Sequence, residues 1–72
     1  MDLQTTKKFA QRLKQLREEL NLTQKQFGKA IGYSQSAIAR WERAERQPDI
    51  DMLIITARFF NVSVDYLVGN AD

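Results

Sequence analysis

The feature that most limits what this chain can fold into is a three-residue turn, Gly32-Tyr33-Ser34, set between two short helical segments. Helices this short are marginal in water, so each must be held by what it packs against. The first opens at Thr23-Gln24-Lys25-Gln26, a capping box with Thr23 as N-cap and Gln26 at the third helical position. It carries Phe27, Ala30 and Ile31 inward, and Gly32 supplies the left-handed residue that ends it. Ser34 caps the second segment, which runs to about Arg43 with Ile38 and Trp41 as apolar anchors. Such a pair, over about residues 23–43, has the length and composition of a helix-turn-helix; a plain helical hairpin is the other reading.

The rest of the chain divides at its caps into three more helices. From about Thr5 to Leu20, the residues Phe9, Leu13, Leu16 and Leu20 fall four, three and four apart, which is one face of an amphipathic helix. Arg17 lies about 40° round the wheel from Leu13, so a charge stands at the edge of an apolar stripe and needs a partner. Beyond the loop Ala44-Glu45-Arg46-Gln47-Pro48, Asp49 caps a fourth helix to about Phe60. That helix is apolar over much of its surface, through Ile50, Met52, Leu53, Ile54, Ile55, Ala57, Phe59 and Phe60, and Asn61 ends it. Ser63 caps a short fifth helix holding Val64, Leu67 and Val68, which Gly69 terminates. The expected fold is all-α, a compact five-helix bundle forming one domain over residues 1–72, with no strand, repeat or linker.

At 72 residues a single core supplies little stability, and small domains need disulfides, a metal, tight helix packing or a partner subunit. The chain has no cysteine and no histidine, which removes disulfides and takes away the main ligands of a structural zinc. Neither a metal nor a cofactor is expected, which leaves helix packing and dimerisation. An enzyme is not expected either: there is no Gly-rich phosphate loop, no room for a pocket, and the hydroxyls of Thr23 and Ser34 serve as caps. No apolar run is long enough to span a bilayer, and the N-terminus lacks the apolar stretch of a signal peptide. Cytoplasm is the expected location. Charge is divided along the chain: residues 1–47 hold ten Lys/Arg against five Asp/Glu, and residues 48–72 hold one Arg against four Asp. The first two-thirds suits a polyanion and the last third does not; an ordinary solvated surface is the alternative.

The third helix has two sides. With Ser36 at zero on the wheel, Arg40, Arg43, Ala39 and Gln35 fall at roughly 40°, 340°, 300° and 260°, while Ala37, Trp41 and Ile38 fall at roughly 100°, 140° and 200°. One side packs on the core; the other presents hydrogen-bonding groups among small residues. That is what reading a DNA major groove requires, since Arg pairs with guanine and Gln with adenine, and Ala39 suits a thymine methyl.

From about Arg12 to Gly69 the sequence resembles the phage-repressor and Cro-type helix-turn-helix family. The stretch Leu22-Thr23-Gln24-Lys25-Gln26-Phe27 looks like that family's second-helix opening, and Ile31-Gly32-Tyr33-Ser34-Gln35-Ser36-Ala37-Ile38-Ala39-Arg40-Trp41-Glu42 like its turn and recognition helix. Pro48 and the ending Asn61-Val62-Ser63-Val64-Asp65-Tyr66-Leu67-Val68-Gly69 match its later helices. The resemblance implies a sequence-specific regulator of transcription, a repressor bound to a double-stranded operator, with Gln35, Ser36, Ala39 and Arg40 facing base edges. It implies phosphate contacts from Gln24, at a helix start that favours anions, and from Ser34, Arg43 and Arg46. For Tyr33 a phosphate contact and packing in the turn are equally open. Arg17 and Glu42 match a pair that forms an ion pair between the family's first and third helices. An antitoxin or protein-interaction adaptor on the same fold is the rival function.

Two positions depart from the family pattern: Gly28 where Ala is usual, and Ala44 where Gly often stands. The fourth helix has more apolar residues than one core-facing stripe can bury, with Ile55 and Phe59 the candidate surplus. A homodimer through the fourth and fifth helices is therefore expected, on a palindromic operator whose half-sites lie about one DNA turn apart.

Overall fold

The computed structural model describes residues 3–71; Met1, Asp2 and Asp72, the ends of the expected domain, lie outside them. Five α-helices follow one another: α1 (Leu3–Glu19), α2 (Gln24–Ile31), α3 (Gln35–Glu42), α4 (Ile50–Phe60) and α5 (Val64–Leu67). No strand occurs among the described residues.

Four of the five starts are fixed by a side chain that accepts the N–H of the third helical residue. Thr23, Ser34, Asp49 and Ser63 take the N–H groups of Gln26, Ala37, Met52 and Tyr66, at 2.8 to 3.1 Å. At α2 the box is reciprocal, the Gln26 amide oxygen accepting the Thr23 N–H at 2.9 Å.

The helix ends follow one rule as well. A left-handed residue follows each helix, Asn21, Gly32, Ala44, Asn61 and Gly69 in turn. The residue after it sends its N–H back to the carbonyl five positions earlier: Leu22 to Arg17, Tyr33 to Gly28, Glu45 to Arg40, Val62 to Ala57, Asn70 to Asp65. This is the Schellman closure, which satisfies carbonyls that the helix itself cannot.

The helices meet around Phe9, Leu13, Phe27, Ile38, Trp41, Met52 and Leu67, all fully buried. α3 packs on both α1 and α2, and α5 on α1 and α4. Phe27 of α2 sets its ring edge-on to Phe59 and tilted to Phe60 of α4, at 5.2 Å in each case. The Trp41 indole N–H donates to the Gln47 carbonyl at 3.3 Å and so holds the loop to the buried Pro48. Arg12 does the same for the C-terminal turn. Its guanidinium donates to the carbonyls of Tyr66 and Ala71 and lies 4.0 Å over the Tyr66 ring.

Three sequence-based expectations need correction. Leu20 is not in the α1 stripe: the helix stops at Glu19, Asn21 turns the chain left-handed, and Leu20 is 54% exposed. Ala30 points to solvent rather than inward. On α4 the surplus is not Ile55, which is half-buried; Phe59 is 38% exposed, and Ile50 and Ile54, one turn apart, are 75% and 39% exposed.

Candidate nucleic-acid interface

α3 is gripped from one side and left open on the other. Ile38 and Trp41 are fully buried, and Ala37 packs against them. The Tyr33 ring stands edge-on to Trp41 at 5.1 Å, half-buried in the turn. Gln35, Ser36, Arg40 and Arg43 are exposed, with Ala39 half-buried between them. The residues expected to read bases thus share one surface. Ser34 caps α3 and its hydroxyl lies 3.2 Å from that of Ser36, so the N-terminal edge of this surface carries two linked hydroxyls.

Gly28 explains how α2 and α3 come so close. A Cβ at this position would stand 2.5 Å from the Tyr33 carbonyl oxygen and 3.4 Å from Ile38 Cγ1. The turn backbone therefore occupies the space that alanine would fill.

Behind α3 lies a charged junction that ties three helices together. Glu42 takes two hydrogen bonds from Arg17, Nε to Oε2 at 2.7 Å and Nη2 to Oε1 at 3.0 Å. The Arg17 Nη1 donates to the Leu22 carbonyl at 2.6 Å, and the Gln24 amide donates to Glu42 Oε1 at 3.1 Å. The pair is enclosed, with side-chain exposures of 10% and 3%. The hydrogen bond that Arg17 donates to Glu42 raises the Arg17 pKa above its ordinary value, outweighing burial, which lowers it. Sequence reasoning put Gln24 at a helix start facing a phosphate; here half of its amide is already committed inward, and the second N–H stays available.

Two arginines are also less free than the sequence suggests. Arg43 makes a two-point exposed contact with Glu45, 3.0 Å at each end, which holds the Glu45 carboxyl below its usual range. Arg46 folds back over the Trp41 ring at 4.4 Å. Beside them, between α1 and the end of α3, runs an open groove of about 460 Å³. Lys7, Gln11 and Lys14 line it from α1, Glu42 from the last turn of α3, and Arg43 and Ala44 from the residues that follow it. Sequence reasoning assigned those lysines nothing. Arg12 was missed too, although it lies only about 40° from Leu16 on the wheel that singled out Arg17.

A short helix anchored inside and polar outside, projected by a tight turn from a bundle of four others, defines a class of small all-helical recognition units. A helix-turn-helix family profile matches residues 13–67, and the chain belongs to that family, in its phage-repressor and Cro-type form. Among its relatives, the HTH-type transcriptional regulator YobD of Bacillus subtilis is 41% identical over 64 residues, covering 89% of this chain and 57% of YobD. The HTH-type transcriptional activator BcrR of Enterococcus faecalis is 34% identical, over 89% of this chain and 31% of BcrR. Repressor protein C2 of Salmonella phage P22 is 33% identical, over 88% of this chain and 29% of the repressor. The chain thus spans between roughly a third and three-fifths of the length of these relatives. The crystal structure of the P22 c2 repressor with synthetic operator 9T in the presence of Tl+ superposes with a TM-score of 0.80 at 32% identity, over 88% of this chain and 96% of that one.

Proposed function

We propose that this chain is the sequence-specific DNA-binding domain of a transcription regulator, a repressor, that reads a double-stranded operator with α3 in the major groove. The observation that carries the reading is the two-sidedness of α3: Ile38 and Trp41 are sealed in the core while Gln35, Ser36 and Arg40 stand outward. Membership of the helix-turn-helix family, and likeness to a repressor solved on its operator, support it. Base edges fall to Gln35, Ser36, Ala39 and Arg40. Phosphates fall to Gln24 through its second amide N–H, to Ser34 and Tyr33, and to Arg43 and Arg46, each of which must first leave its present partner. Arg17 and Glu42 hold α3 in place and touch no DNA. We assign the chain no catalytic role.

Residues 1–72 act as one domain in this reading, and two copies pair through α4 and α5 on a palindromic site. No described helix is long and apolar enough to cross a membrane, and a chromosomal target puts the protein in the cytoplasm.

Selection of bound duplexes from a random DNA pool tests the reading directly. Arg40→Ala should then lose about 1–3 kcal/mol on the selected operator and relax preference at one base position. Gln24→Ala should weaken all sequences alike. Unchanged affinity and preference in Arg40→Ala would refute the assignment of the reading face.

A further inference from the structure

We infer that the groove between α1 and the end of α3 is a second DNA-backbone site, in which Lys7 and Lys14 neutralise phosphates of the strand that borders α3 at its C-terminal end. This rests on the reading of α3 given above. α3 has eight residues, about 12 Å at 1.5 Å per residue, and the major groove is about 12 Å wide. The two ends of the helix therefore face opposite strands. Ser34, the α3 N-cap, stands at the first end, whereas Gln24 bonds to Glu42, the last residue of α3. At the second end stand Arg40, in the last turn of α3, and the C-cap Arg43, which lines the α1 groove.

The charges there select an anion. Both Glu42 oxygens are taken by Arg17, and Glu45, which Arg43 releases on binding DNA, does not line the groove. Neither Lys7 nor Lys14 has a carboxylate within ion-pair distance among the described residues, and both are exposed. Seven residues apart on one helix, they stand about 10 Å from each other. That spacing suits a chain of phosphates better than a single bound ion, and Arg43, exposed beside the α3 reading face, lines the groove as well.

The test is the salt dependence of binding to a selected operator for Lys7→Gln, Lys14→Gln and the double variant, with folding checked by circular dichroism. Each lysine should lower the slope of log K against log salt by about 0.9, and affinity by about five- to tenfold near 0.1 M salt, without changing base preference. Arg58→Gln, on α4 and away from the groove, should leave the slope as it is. A double variant with the parent slope would overturn the inference. So would a groove that binds polyglutamate through these lysines while the DNA slope stays fixed, since its partner would then be an acidic polypeptide. A parent protein that selects no duplex at all would instead remove the reading of α3 on which the inference depends.

Discussion

Ala44 occupies a left-handed position, φ +58°, of the kind that asparagine or glycine fills at the other four helix ends. Its Cβ costs roughly 1–2 kcal/mol there, against about 0.5–1 kcal/mol of extra chain entropy lost by a glycine. Ala44→Gly should therefore stabilise the protein by about 0.5–1 kcal/mol, raising the thermal midpoint by a few degrees; an unchanged or lower midpoint would contradict it. The departure from the family pattern at this position is visible in the sequence, but its conformational consequence is not. Thr56 poses the opposite case. Its hydroxyl is fully buried without a partner among the described residues, which costs about 1–3 kcal/mol in desolvation. Thr56→Val removes the hydroxyl and keeps the shape, so chemical denaturation should show a gain of about 1 kcal/mol. Glu42 is different again, because its neighbours depend on it. Glu42→Ala strands the Arg17 guanidinium in an enclosed site and should cost about 3 kcal/mol or more, a drop of ten degrees or more in the midpoint. A melt within two degrees of the parent would show that water already carries that charge.

Helix limits were readable at the scale of the element because caps and terminators act within six residues. Thr23, Ser34, Asp49 and Ser63 state where helices begin, and no distant contact can overrule a side chain bonded to the N–H three residues on. Periodicity reads less well, since it reports spacing and not what lies opposite. Leu20 keeps the spacing of the α1 stripe yet follows the last helical residue, and Ala30 has the size but not the neighbours of a core residue. On α4 the error has the same source. Which apolar residues are covered depends on the rings of Phe27 and Phe60, which arrive from elsewhere or fold back. The junction at Glu42 was half legible: Arg17 betrays itself at the edge of a stripe, whereas the bonds from Gln24 and to the Leu22 carbonyl need the three helices assembled. If α4 pairs with a second copy, sedimentation should show an apparent mass that rises with concentration, and Ile54→Ser should suppress the rise without lowering the melting point. A parent that stays monomeric with and without operator would assign the apolar surplus to the chain's own surface.

Across the whole molecule charge divides by helix, although packing crosses the division. The basic residues gather in α1 to α3, while α4 and α5 carry three of the four C-terminal aspartates, with Asp49 at the α4 cap among them. A field of this sign pattern orients the approach to a polyanion before any contact forms, and its influence fades above about 0.1 M salt. The self-closing helix ends have a consequence of another kind, in time. Every helix stops using groups from its own last turn, so the helices can take shape before the chain has searched for remote partners; the packing of α1 on α3 and α5, and of α2 on α4, comes later. Proteins with such local wiring cross their barrier in microseconds to milliseconds. Temperature-jump relaxation near the midpoint should show a single exponential in that range, and a dominant phase slower than a second would mean that the α1–α5 closure, rather than the helices, governs the speed of folding.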